Sequence, residues 1–138
     1  MTSRLLLVLV VATSLAGCSK ATDTTPTTPA VTSPVTNSFT NRLPVGGAVA
    51  RAFTTSTAGQ ISVQVNNTTP SATIGIGLGV PGSTNGIANC TLTMSVETSG
   101  ATAPQISTGA AAGTYCVVAY DLGTLARAVD FDATIIYP

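Results

Sequence analysis

Gln60-Ile61-Ser62-Val63-Gln64-Val65-Asn66 decides the fold of this chain. Ile61, Val63 and Val65 fall on one side of an extended backbone and Gln60, Ser62 and Gln64 on the other, the period of two that marks a half-buried strand. Outward from this stretch the device repeats. Ala72 to Val80 sets Ile74, Ile76 and Leu78 against Gly75, Gly77 and Gly79, then Pro81-Gly82 turns the chain. Cys90 to Val96 puts Cys90, Leu92, Met94 and Val96 on one face and Thr91, Thr93 and Ser95 on the other. Val129 to Tyr137 alternates again, with Val129, Phe131, Ala133, Ile135 and Tyr137 inward. Thr114 to Asp121 is apolar on both faces, which predicts a central strand. Phe39 to Leu43, Ala48 to Thr55 and a short strand near Gln105 to Ser107 complete eight candidates, with the folded part starting near Ser38. Leu122 to Ala128 is the one stretch that could wind a helical turn. Short strands separated by turn residues predict an all-β, two-sheet antiparallel sandwich, jelly-roll-like, over residues 38–138.

Composition agrees. The chain is rich in Thr, Ser, Gly and Val, which strands and turns use, and only 7% of its 138 residues are charged. Near-neutrality with so few cations argues against a nucleic-acid partner, whose phosphates demand a basic patch. Histidine is absent, which excludes Ser-His and Cys-His nucleophile pairs and His-containing zinc sites.

The amino terminus has the three-part build of an export signal: Arg4, an apolar run from Leu5 through Ala12, and small residues before a cut site. The run is too short to cross a bilayer, which takes about 20 apolar residues. Leu15-Ala16-Gly17-Cys18 resembles the lipobox of bacterial lipoproteins. That resemblance implies a signal peptide over residues 1–17, a diacylglyceryl group on the Cys18 sulfur and an acylated new amino terminus. Several acyl chains hold where one holds only marginally, at roughly 0.8 kcal/mol per buried CH₂. Ser19 stands where, in the enterobacterial sorting pattern, an aspartate favours inner-membrane retention, so the outer membrane is the expected address. An ordinary secretory signal with a chance cysteine is the alternative. Residues 18–37 form a Thr/Pro-rich linker; Pro26, Pro29 and Pro34 bias it toward polyproline geometry at about 3.1 Å per residue.

With Cys18 spent on lipid, Cys90 and Cys116 remain as an even pair, expected to form a disulfide in an oxidising compartment. Because Cys90 shares a face with core residues, its partner is expected on the buried side of the central strand, beside Val118 and Tyr120. A metal site is the alternative use for the two thiols.

Gly59-Gln60-Ile61-Ser62-Val63-Gln64-Val65, Gly113-Thr114-Tyr115-Cys116-Val117-Val118-Ala119-Tyr120-Asp121 and Phe131-Asp132-Ala133-Thr134-Ile135 together resemble the bacterial pre-peptidase C-terminal domain, a secreted β-sandwich often attached to exported peptidases. No peptidase accompanies it here, and the family does not require the cysteine pair. The resemblance therefore implies a non-catalytic accessory or interaction module at the envelope, with an envelope protein or a glycan as partner and no residue-level function.

Carboxylates are the only remaining acid/base option. Asp130 and Asp132 project from one face of a strand and Asp121 ends a neighbouring candidate, so the three are candidate calcium ligands if that end of the sheet is shared. Solvated outer-face residues are the competing reading, and a glycosidase pair would need aromatic walls that the chain has few residues to build. No other cofactor is expected. Tyr115 is the candidate for an exposed ring that stacks on a sugar, with Tyr120 and Tyr137 packed inside. Gly75-Ile76-Gly77-Leu78-Gly79 looks like a nucleotide-binding run but reads as a strand, because Pro81-Gly82 follows where a helix would start. Its outward glycines leave a smooth strip that suits either a contact surface or close packing. Asn66-Asn67-Thr68 and Asn89-Cys90-Thr91 match a eukaryotic glycosylation sequon by chance.

Overall fold

The computed structural model describes residues 32–82 and 87–138. The signal, Cys18 and most of the linker lie outside the described residues. Eight strands follow in order: β1 Val35–Leu43, β2 Ala48–Thr55, β3 Gly59–Thr69, β4 Ile74–Pro81, β5 Cys90–Thr98, β6 Ile106–Ala110, β7 Gly113–Tyr120 and β8 Val129–Tyr137. They form two antiparallel sheets, ordered β1-β8-β3-β6 and β2-β7-β4-β5, which is the jelly-roll arrangement. β1 begins at Val35, three residues ahead of the expected Ser38, because β8 runs on to Tyr137 and supplies Val35 with a ladder partner. Leu122 to Ala128 forms an irregular loop instead of a helical turn.

The core between the sheets is built as the alternation demands. Ile61, Val63 and Val65 of β3 face Ile74, Ile76 and Leu78 of β4, with Val117 and Ala119 of β7 and Val129, Phe131, Ala133 and Ile135 of β8 closing the same cluster. Each such side chain stabilises the fold by about 1.5–3 kcal/mol on burial. Phe39 meets Phe131 edge-on at 5.0 Å, and Phe53 packs at 4.7 Å from Tyr137, so the few aromatics sit where they cover most area.

Two bulges break the simple alternation. In β3 the register with β8 shifts between Val65 and Asn67, so that Thr68 in place of Asn67 turns inward; its hydroxyl donates to Ala72 O and accepts from Ala72 N–H, both at 3.0 Å. In β5 the register shifts opposite Leu78 and Gly79, which makes Thr93 the additional residue. One extra residue flips every side chain beyond it. Val96 therefore packs on the main core, whereas Leu92 and Cys90 point to the other side of the sheet. The expectation of one continuous face from Cys90 to Val96 fails at this bulge.

Cys90 and Cys116 are joined by a disulfide with a Cα–Cα distance of 5.9 Å. It sits beside Val118 and Tyr120, as expected, but not in the core between the sheets. Cys90, Cys116 and Val118 form a second buried cluster with Ala48, Leu92 and Tyr120, on the outer side of the β2-β7-β4-β5 sheet. The bridge spans β4 near Gly79, whose register partners are Cys116 on one side and Leu92 on the other. Gly75, Gly77 and Gly79 face the same way and are covered: a side chain at 75 would strike the Tyr120 ring, one at 77 would meet Leu92 Cδ1 at 2.7 Å, and one at 79 would strike the Thr91 backbone. The strip serves close packing and offers no free contact surface.

Candidate functional site at the loop end

Strand direction sorts the connections into two groups. β1 starts and β8 finishes at one end, beside the β2–β3 and β6–β7 connections, the end of β4 and the start of β5. The opposite end collects the loops 44–47, 70–73, 99–105 and 121–128. This second end, the loop end, includes the 121–128 loop.

Asp121 organises it. Its Oδ2 accepts the Gly46 N–H at 2.7 Å, and its Oδ1 accepts the N–H groups of Gly123, Thr124 and Leu125 at 2.8, 3.1 and 3.2 Å. The Asp121 N–H in turn donates to Gly47 O at 2.9 Å, so one residue ties the 44–47 loop to the 121–128 loop. The Gly46 bond holds the carboxyl below its ordinary value of 3.8, desolvation opposes it, and the bonds from Leu125, Gly123 and Thr124 add to the lowering. Gly46 has φ +65 and Gly123 φ +82, backbone conformations that only glycine adopts without strain. An Asp two residues before a Gly is a turn signal that was readable in the sequence.

Between the 70–73 and 121–128 loops lies an open cleft of about 150 Å³, lined among others by Pro70, Ala72, Leu125, Ala126 and Arg127. Arg127 is the charged residue of this cleft, and no sequence pattern marked it.

The predicted carboxylate trio is not brought together. Asp130 and Asp132 lie on β8, on the outer face of the first sheet, with Arg42 and Thr40 as their β1 partners and Thr69 and Asn67 as their β3 partners. Asp121 follows β7 in the other sheet, with both oxygens already committed to backbone donors. The reason is the jelly roll itself, which sends β7 and β8 to different sheets although they are consecutive in the chain. Among the described residues no group of three or more His, Cys, Asp or Glu side chains is placed to hold a metal ion.

Tyr115 also differs from expectation. Because Cys116 faces the outer cluster, its neighbour must turn inward; the Tyr115 ring is half-buried at 6.0 Å from Phe53, and its hydroxyl donates to Ala111 O at 2.9 Å. Tyr120 lies over Gly75, and Tyr137 is buried in the core.

The fold and this end define a disulfide-containing jelly-roll β-sandwich with an apolar, loop-built cleft. Among solved structures it is similar to Aeromonas hydrophila PliG, a periplasmic lysozyme inhibitor of g-type lysozyme, with TM-score 0.53 and 11% identity over 74% of this chain and 86% of that one. At that identity the likeness is one of fold. No protein-family model matches the chain. No curated protein matches it.

Proposed function

We propose that this chain is a bacterial lipoprotein, acylated on Cys18 and held at the outer membrane, whose jelly roll is a non-catalytic module that binds a protein partner in the envelope. The observation that carries the reading is the placement of Val35: the chain enters the sandwich at the end opposite the 44–47, 70–73, 99–105 and 121–128 loops, as suits a domain tethered through its amino terminus. The disulfide suits an oxidising compartment. Asp121 is consumed by backbone donors, and Asp130 and Asp132 lie on the outer face of the first sheet, so these three carboxylates form no walled pair for acid/base work. The similar fold of PliG belongs to a periplasmic lysozyme inhibitor of g-type lysozyme, a protein whose target is a protein.

Two measurements test this. Mass spectrometry of the amino-terminal peptide, isolated from membranes, is expected to find lipid on Cys18 and no labelled form in a Cys18→Ser variant. Thermal melting of that soluble variant is then followed with a g-type lysozyme, a glycan panel and calcium. A binder of the folded form at a hundred times its Kd adds about 2.7 kcal/mol. A shift with a protein supports the reading, whereas a shift with a glycan or calcium alone replaces it with the carbohydrate- or calcium-binding alternative.

A further inference from the structure

Two sheets present four edge strands, and three of these edges are guarded. β5 carries the Thr93 bulge, with the Thr93 hydroxyl turned back to Leu78 O at 3.0 Å. β6 is five residues long, and the part of β3 that it leaves bare is closed by Gln105: its Oε1 accepts the Val65 N–H at 2.6 Å and its Nε2 donates to Val65 O at 3.3 Å, as a strand residue would. On β1, Ser38 O accepts from the Arg51 guanidinium and the Arg42 N–H donates to Asn41 Oδ1 at 2.7 Å. Bulges, short strands and side-chain plugs of this kind keep an open edge from recruiting another strand.

Among the described residues β2 has no bulge and no side chain plugging its outward N–H and C=O groups, and its one edge charge is Arg51. Its register with β7 is unbroken from Ala48 to Thr55. The Asp121 N–H bond to Gly47 O fixes the alternation: the backbone of Gly47, Val49, Arg51 and Phe53 faces β7, and that of Ala48, Ala50, Ala52 and Thr54 faces outward. Three of those four outward residues carry only a methyl group, so nothing shields the bare N–H and C=O groups.

We propose that the β2 edge is where this protein takes its partner, an extended polypeptide segment that adds as a fifth strand to the β2-β7-β4-β5 sheet with an acidic side chain opposite Arg51. This deepens the protein-binding reading and rests on it. Arg51 selects the acid: it is the one charge on β2, it is exposed, and it spends a five-donor guanidinium on a neutral carbonyl. Residues directly opposite on paired strands have Cβ atoms about 4.5–5.5 Å apart, so a carboxylate there meets the guanidinium and a cation is repelled. A second copy paired in the register that uses the whole Ala48–Thr54 stretch sets Arg51 against Arg51.

The test uses the ¹⁵N-labelled full chain carrying Cys18→Ser and the probe peptide acetyl-Thr-Val-Thr-Glu-Thr-Val-Thr-amide. Saturable shifts are expected at the amides of Ala48, Ala50, Ala52 and Thr54. Ala50→Pro removes an outward donor without touching the β7 ladder, and is expected to weaken binding at least tenfold with the spectrum otherwise retained. Replacing the peptide's Glu by Lys should abolish the shifts, and Arg51→Glu should restore them for the Lys peptide. No binding, shifts confined to another surface, or equal binding by Ala50→Pro would overturn the proposal. So would concentration-dependent shifts at these amides without peptide, which assign the edge to a second copy. If the melting assay still responds to a protein, strand addition alone has failed; a response to glycan or calcium alone removes the protein-binding reading itself.

Discussion

Replacing Cys90 and Cys116 together by alanine tests where the disulfide acts. The bridge closes a loop with a sequence separation of 26. Chain entropy alone then assigns it about 3.5 kcal/mol at 25 °C, from 2.1 plus 1.5R ln n in cal/mol/K. A domain of roughly 100 residues loses about 4–8 °C per kcal/mol, which makes the expected drop in Tm about 14–28 °C. Against a typical net stability of 5–15 kcal/mol, the variant should still fold. Its outer-face position adds a sharper expectation. The sulfurs pack with Val118 and Leu92, away from the Ile61, Ile76 and Phe131 cluster, so the main core should survive their loss. Hydrogen exchange should therefore show β4 and β5 opening first while β3 and β8 stay protected, with urea unfolding of the oxidised, reduced and double-alanine forms supplying the free energies. A loss below about 1 kcal/mol, or equal loss of protection in β3 and β8, would refute the reasoning.

Four further outcomes follow from the same geometry. Asp121 binds its proton more weakly when folded than when unfolded, so its contribution is complete above the unfolded value near 3.8 and falls away as pH drops through the lower folded value; Asp121→Asn should flatten the pH dependence of Tm below about pH 4, and an unchanged profile would show that the clamp does not form. Gly79→Ala drives a methyl into the Thr91 backbone and should cost about 1–3 kcal/mol, whereas Gly109→Ala meets nothing within 4 Å and should gain about 0.4–1 kcal/mol, both read by chemical denaturation. Ala88 has φ 51 in the two-residue turn that joins Ile87 to Cys90, so Ala88→Gly should raise stability by up to about 1 kcal/mol, and a lower Tm would contradict the strained turn.

The architecture was legible because period-two patterning is local. Ile61, Val63 and Val65 declare their face without help from any other strand, and so do Phe131, Ala133 and Ile135. What could not be read was anything set by a neighbour. Thr93 is a bulge only because β4 pairs with β5 in two registers, and nothing in Thr91-Leu92-Thr93-Met94 announces it. The same holds for Gln105, which imitates a peptide group for Val65, forty positions away in sequence. The carboxylates are separated for a topological reason: β7 and β8, although consecutive, lie in different sheets, so closeness in sequence did not bring Asp121 to Asp130 and Asp132.

The glycines of β4 show how a chain without tryptophan secures a second buried layer. Removing side chains at 75, 77 and 79 lets Tyr120 and Leu92 lie flat across the strand, and the disulfide then clamps β7 to β5 over the same row. This is aromatic cover for glycine, a device that pins register as well as filling space. Its mechanical effect reaches β2. The sheet beside the unguarded edge is braced on both faces, by the main core on one and by this outer cluster on the other, so the β2 backbone is a preordered template. A strand added there orders only itself, and a partner spends less of its interaction energy on rigidifying the site. Loosening the outer cluster should therefore weaken strand addition even though neither cysteine touches the β2 edge. The double-alanine variant, folded at low temperature, offers that comparison with the same peptide and the same amides, and unchanged affinity would separate the brace from the binding edge.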